Sequence, residues 1–450
     1  MLANDKNGGV MNDKKVLGRR NFLRASALGI LGAGTSLKSS PVNTGKKDFS
    51  AQDNEFPKVS QYRTLGRTGF KVSDIGAGSI QDKGVLGTAL DAGVNYIDTA
   101  EQYPGHHKVV GEAIKGRERK SLFITTKIEI KKDKSKQGFL QRARRCLEEL
   151  DTEYVDCIMI HMAETVDILK TPGFHEAMAE LKAEGRVRFV GVSNHGSFWF
   201  RDPEETMEKV LLAAAEDGRF DVFLMAYNFL KMDQSQRVLE VCGQKNIGTA
   251  IMKSTPIAIY YSLKSSVEKM EKENKEVHPL YKDGLKRYKD KVDRADDFIK
   301  NHKLENPEEI KEAAVKFVLD NPNVSTVCCL AKTYDELERF ISLSGMRLNM
   351  TDKAVLSKYE QGCGHLYCRH ACGLCEPSCP SGVPINTILR FNHYFNAQGR
   401  EREAMQKYAA IPGANAEACK ECSGMCERAC PYGVPVQGML LAAHHSLSLE

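Results

Sequence analysis

Val155-Asp156-Cys157-Ile158-Met159-Ile160-His161-Met162 is a run that, apart from Asp156 and His161, is apolar, with no glycine or proline in it. Phe139–Leu150 precedes it and Phe174–Ala183 follows it, both with apolar residues at helical spacing. A short buried strand with helices on either side is the repeating unit of a parallel sheet. The same unit recurs in both directions. Its strands are expected at Val72–Ser79, Val94–Ala100, Leu122–Ile128, Val155–Met162, Arg188–Asn194, Val222–Asn228, Ile247–Lys253 and Val324–Ala331. Helical stretches such as Pro203–Ala215 and Pro307–Leu319 fall between them. Eight strand–helix repeats predict an α/β fold, a (β/α)8 TIM barrel. The competing open, doubly wound sheet would want a Gly-x-Gly-x-x-Gly turn after the first strand, which is missing. Tyr62 to Lys71 is expected to form a small hairpin ahead of the barrel.

A barrel of this kind carries its chemistry at the C-terminal ends of its strands. Asp98 ends the second expected strand, and Tyr103 follows five residues on. Lys127 ends the third, His161 the fourth, and Ser193 and Asn194 the fifth. Reducing a carbonyl needs a proton on the oxygen as negative charge develops there. A tyrosine hydroxyl can supply it if a nearby ammonium lowers its pKa, ordinarily about 10. That ammonium, once desolvated, needs a carboxylate to hold it. Tyr103, Lys127 and Asp98 fit those roles, and His161 can orient the substrate oxygen.

Residues 61 to 343 resemble the aldo/keto reductases. The likeness rests on Tyr62-Arg63-Thr64-Leu65-Gly66-Arg67-Thr68-Gly69, Tyr96-Ile97-Asp98-Thr99-Ala100, Tyr103, Thr126-Lys127 and Ile160-His161. Gly191-Val192-Ser193-Asn194, Tyr227-Asn228 and Ala250-Ile251-Met252-Lys253 extend it. The resemblance implies a catalytic tetrad of Asp98, Tyr103, Lys127 and His161, and NADP(H) as cofactor. It implies Ser193 and Asn194 for the nicotinamide carboxamide, Tyr227 as a stacking face, and Lys253 and Lys332 for phosphate. The chain departs from the family at Leu224, Leu330 and Phe340, where glutamine, glycine and asparagine are usual. These changes remove hydrogen-bonding groups or add bulk beside the backbone. Two readings therefore stand: an enzyme interconverting a small carbonyl compound and its alcohol, or an electron-transfer or docking protein whose barrel no longer uses nicotinamide.

Nine of the 14 cysteines lie between Cys363 and Cys430. Cys375-Glu376-Pro377-Ser378-Cys379-Pro380-Ser381-Gly382-Val383-Pro384 recurs as Cys426-Glu427-Arg428-Ala429-Cys430-Pro431-Tyr432-Gly433-Val434-Pro435. With Cys368 and Cys372, and with Cys419 and Cys422, the spacings come close to the ferredoxin run C-x2-C-x2-C-x3-C-P. In two-cluster ferredoxins the last cysteine of each run serves the other cluster. By that rule Cys368, Cys372, Cys375 and Cys430 would hold one [4Fe–4S] cluster, and Cys419, Cys422, Cys426 and Cys379 the second. Asn386–Ala410 between the runs is helical in pattern, so a mainly α-helical dicluster ferredoxin-like domain is expected. Cys363 is spare. Structural zinc would favour paired C-x2-C knuckles, and a disulfide framework belongs to smaller secreted domains.

Gly18-Arg19-Arg20-Asn21-Phe22-Leu23-Arg24, followed by a mildly apolar stretch to Leu37, matches the twin-arginine export pattern. Engagement with the twin-arginine machinery and a periplasmic or extracytoplasmic location are therefore expected, together with an unidentified redox partner. The apolar stretch is too short and glycine-rich for a stable membrane span. A formal net charge of +5 over 450 residues argues against a nucleic-acid face. The expected organisation is a signal at 1–40, a linker at 41–60, the barrel at 61–350 and the cluster domain at 351–450. The insertion from Thr255 to Lys303, dense in Lys and Glu, reads as a solvated helical cover near the barrel mouth, or as a lid or docking element.

Overall fold

The computed structural model describes residues 55–448 except 131–132, 196–204, 274–278 and 370–371. The twin-arginine segment and most of the expected linker lie outside the described residues.

Two short strands, β1 (Tyr62–Thr64) and β2 (Lys71–Ser73), form an antiparallel hairpin. Eight parallel strands then close into a barrel: β3 (Ile75–Ala77), β4 (Tyr96–Asp98), β5 (Phe123–Glu129), β6 (Val155–His161), β7 (Val187–Asn194), β8 (Val222–Ala226), β9 (Gly248–Met252) and β10 (Thr326–Cys329). They stand in chain order, and β10 closes the ring on β3 by pairing Val327 with Ile75. All eight expected strands are present.

The first of them is divided. The expected run Val72–Ser79 supplies both β2 and β3, with buried Asp74 at the break. The Asp74 carboxylate accepts from Ser344 Oγ at 2.6 Å and from Gly345 N at 2.8 Å. Satisfying that buried charge fixes the chain where it turns from hairpin into barrel.

Alternation along the strands sorts the barrel interior into two ends. Tyr96, Phe123, Cys157, Met159 and Val222 join Leu65 and Val72 of the hairpin in an apolar plug. Two residues beyond Tyr96 stands Asp98, and two beyond Met159 stands His161. The polar residues thus reach the opposite, C-terminal end.

A second core covers that end. The insertion forms helices Ala258–Glu273 and Pro279–Asn301. Its apolar positions Tyr288, Val292, Ala295 and Ile299 are buried, and they share a core with Ile388, Phe391, Leu440 and Ala443. The insertion is therefore more than a solvated cover. In helix Pro279–Asn301, Lys286, Asp293, Arg294 and Lys300 are exposed, while apolar residues at helical spacing pack the other face against helix Val436–Leu447. Contact there is close: a Cβ on Gly438 would meet Gly284 O at 2.4 Å and Tyr288 Cβ at 2.6 Å.

The helix expected between the cysteine runs is present as Ile385–Gln398 and Glu401–Ala409. Polar ties join this region to the barrel. Asn228 Nδ2 donates to Tyr367 Oη at 3.2 Å, and the buried Arg369 guanidinium donates to Leu230 O, Gly364 O and Tyr367 O. No helix among the described residues is long and apolar enough to cross a membrane.

Candidate active site

Asp98, Lys127 and His161 project from β4, β5 and β6, and Tyr103 sits in the turn after β4, where its N–H donates to Ala100 O at 3.0 Å. The four converge. Lys127 Nζ donates to Asp98 Oδ2 at 2.7 Å and to Thr99 O at 2.8 Å, and it lies 4.9 Å from the centre of the Tyr103 ring. The rings of Tyr103 and His161 stand edge to face, 5.9 Å apart.

Burial works against the Lys127 ammonium, yet Asp98 and Tyr103 outweigh it and its pKa stands above the ordinary value. Burial likewise raises the Asp98 carboxyl, with Lys127 opposing. For Tyr103 the sequence-based expectation is only half met. Lys127 does pull the phenol down, but desolvation is larger and leaves its pKa raised. A buried phenol without bound substrate loses more hydration of its anion than one ammonium returns. His161 is pushed well below the usual imidazole value by burial and by Lys127, Lys407, Arg390 and Arg400. It is therefore neutral, and neither ring nitrogen has a partner.

Asp98, Tyr103 and His161, with Lys127 buried behind them, line a cavity of about 440 Å³, a size suited to a small-molecule ligand. Sequence reasoning missed several of its walls. His195, one residue past the Ser193-Asn194 pair, lies 5.7 Å from His161 ring to ring and also lacks partners at both nitrogens. Gln102 faces the cavity with its buried amide unpartnered. The roof comes from far along the chain: His393, Tyr394, Arg400 and Lys407. Around the Tyr394 ring stand the guanidinium of Arg400 at 4.9 Å, Lys253 Nζ at 5.4 Å, Lys407 Nζ at 5.8 Å and the guanidinium of Arg390 at 5.9 Å. Burial would raise the Tyr394 phenol, but the four cations outweigh it and bring it down to about 8. Helical spacing of Arg390 and Tyr394 was a readable signal. Nothing local tied it to the barrel.

The expected cofactor residues divide. Lys253 and Lys332 line the cavity, as do Leu224, Leu330 and Phe340. Ser193 and Asn194 do not. Ser193 Oγ accepts from Met162 N at 3.0 Å, and Asn194 Nδ2 donates to Ala163 O at 2.7 Å, so both brace the loop after β6. Tyr227 packs against Phe317 and accepts from Asn321 Nδ2 at 3.3 Å, away from the cavity, and offers it no stacking face. Loop bracing and core packing have taken the groups expected at the carboxamide.

None of the 14 cysteines forms a disulfide among the described residues. The Cys368 thiol is raised by burial and then by its neighbours Cys372 and Cys430; Cys375 is raised by burial, then by Cys368, Cys426 and Cys430. Cys419 is raised by burial, then by Cys426, Cys379 and Cys422. Cys368, Cys372, Cys375 and Cys430 line one small cavity. The 51-residue repeat extends to hydrogen bonds: Asn386 N donates to Glu376 Oε1 at 2.8 Å, and Gln437 N to Glu427 Oε2 at 3.3 Å. No three His, Cys, Asp or Glu among the described residues come together closely enough to hold a single metal ion.

Residues 80–358 match the aldo/keto reductase family. The chain belongs to that family. An aldo/keto reductase barrel accordingly frames the cavity described above. The chain is 36% identical over 133 residues to methylglyoxal reductase DkgB of Salmonella typhimurium, covering 29% of this chain and 46% of that protein. It thus spans about half the length of that relative. Aldo-keto reductase YhdN of Bacillus subtilis is 24% identical over 318 residues, 65% of this chain and 91% of its own. Among solved structures, aldo-keto reductase AKR11C1 of Bacillus halodurans in its holo form is similar at 21% identity and a TM-score of 0.46, covering 66% of this chain and 96% of that one.

Proposed function

We propose that the chain is an iron–sulfur oxidoreductase that interconverts a small carbonyl compound and its alcohol. The observation that carries this reading is that Asp98, Tyr103 and His161 line one cavity at the C-terminal end of the barrel, with Lys127 buried behind them and bonded to Asp98. Tyr103 gives its proton to the carbonyl oxygen, or takes it back from the alcohol. Negative charge building on that oxygen beside Lys127 brings the Tyr103 phenol toward ionisation only as the reaction proceeds. Asp98 holds Lys127 charged and in place. Neutral His161, with both ring nitrogens open, donates to the substrate oxygen and orients it.

Two [4Fe–4S] clusters fit the thiols present. One would be held by Cys368, Cys372, Cys375 and Cys430, the other by Cys379, Cys419, Cys422 and Cys426. Support comes from the small cavity that the first four line together and from the influence of Cys426, Cys379 and Cys422 on Cys419. Bound there, the clusters would supply single electrons. Two of these, drawn from the redox partner, with a solvent proton for the carbon beside the Tyr103 proton on the oxygen, would balance the reduction.

Aldo/keto reductases generally use NADP(H). Lys253 and Lys332 suit its phosphates, but the groups expected at its carboxamide are engaged elsewhere and Leu224 lines the cavity. The residues do not fit the nicotinamide end. This observation favours the second reading, an electron-transfer or docking protein whose barrel no longer uses nicotinamide. Export by the twin-arginine route to an extracytoplasmic site, and exchange with a redox partner there, complete the proposal. They are supported by Arg19-Arg20-Asn21-Phe22-Leu23.

Iron, sulfide and bound-nucleotide analysis of protein purified without oxygen tests the cofactors. Tyr103→Phe tests the chemistry: it should abolish carbonyl reduction and leave the fold intact, and unchanged turnover would remove Tyr103 from its role.

A further inference from the structure

We infer that the inner end of the cavity, beneath Tyr394, is a subsite for a carboxylate or phosphate carried by the substrate. The inference rests on the tetrad reading above and names the class it acts on: a small anionic carbonyl or hydroxy compound. Lys253, Arg390, Arg400 and Lys407 come within 6 Å of one ring, and Arg400 lies 5.8 Å from the ring of Tyr103 as well. Arg400 therefore reaches from the roof to the proton donor. Glu403 accepts from Arg400 Nε at 2.7 Å and pairs with Lys407 at 2.8 Å, which fixes both cations in position.

The local field is positive at three independent points. Lys127, Lys407, Arg390 and Arg400 all disfavour charge on His161; Lys253, Arg390 and Lys127 do so on His195; and the four roof cations favour an anion at Tyr394. Glu403 is one carboxylate set against four gathered cations, so a further anion seated among them is favoured. A bidentate guanidinium suits either a carboxylate or a phosphate. An anion seated there lies next to Tyr103 and His161, so the charged group belongs close to the reacting carbon.

The test is calorimetric titration of the full chain, purified without oxygen, with lactate and with glycerol 3-phosphate. Lactamide and glycerol are the neutral counterparts. One of the two anions should bind at least about tenfold more tightly than its neutral partner, as expected for a charge-assisted contact. It should also raise the pH midpoint of the phenolate absorbance that Tyr394→Phe removes. Arg400→Gln, or Lys407→Gln should the first fail to fold, should abolish the preference. Equal binding of charged and neutral compounds, binding of neither anion, or a preference that survives both substitutions would overturn the inference. So would binding of NADPH alone with an affinity that falls in Arg400→Gln, since the cations would then serve a dinucleotide pyrophosphate. Binding needs no turnover: if Tyr103→Phe stays active, the tetrad reading fails while the anion result stands.

Discussion

Lys127 Nζ lies 2.7 Å from Asp98 Oδ2 inside the barrel, and the lysine side chain is wholly buried. Such a pair is held by mutual need: either charge alone would be stranded in a medium that solvates it poorly. Lys127→Met should therefore lower stability by about 3–5 kcal/mol at neutral pH, read by urea denaturation. Pairing it with Asp98→Leu should recover most of that loss and none of the activity. Equal destabilisation by the single and double variants would show that the ion pair is not the cause.

His106 should make the fold acid-sensitive. It is fully buried, bonded to Thr99 Oγ1 at 2.8 Å and Ile80 O at 3.0 Å, and burial lowers its pKa from 6.5 to about 4. The unfolded chain binds this proton first as pH falls, so stability is complete above pH 6.5 and drains away toward pH 4. The loss from this group is about 3 kcal/mol. His106→Gln should start less stable at neutral pH and show a flatter urea-midpoint profile between those values. A parallel profile would exclude His106.

The proposed two-cluster reading, in which the last cysteine of each run serves the other cluster, can be told apart from two self-contained runs. Cys430→Ser should impair the cluster of the first cysteine run, and Cys379→Ser that of the second. Each variant should keep about half the iron and one reduced-cluster signal by electron paramagnetic resonance. If Cys430→Ser instead removes the signal that Cys419→Ser removes, the runs are self-contained and the grouping is wrong.

Gly438 marks where the insertion meets the C-terminal helix, with Gly284 O 2.4 Å from any Cβ placed there. Gly438→Ala should cost about 1–3 kcal/mol through overpacking, visible as a lower melting temperature. Ala substitution at Gly116, where nothing crowds a Cβ but φ is +78°, tests backbone strain without crowding. If Gly438→Ala melts like the parent, the two helices are not closely seated.

Periodicity and strand-end position are local, and they determined much of this protein. The eight strands, their order, the inward stations of Asp98, Lys127 and His161, and the cysteine repeat can all be read from spacing, because alternation along a strand fixes which side chains share a face. Partnership between distant segments is not local. Only the tertiary structure decided that Tyr394, Arg400 and Lys407 roof the barrel, that His195 stands beside His161, and that Ser193 and Asn194 are spent on Met162 N and Ala163 O. It also decided that Asp74 splits the first expected strand and that the charged insertion buries an apolar face. The physical reason is common to all of these: a buried polar group or apolar stripe must find a partner, and which partner it finds depends on what the fold brings within a few ångströms of it.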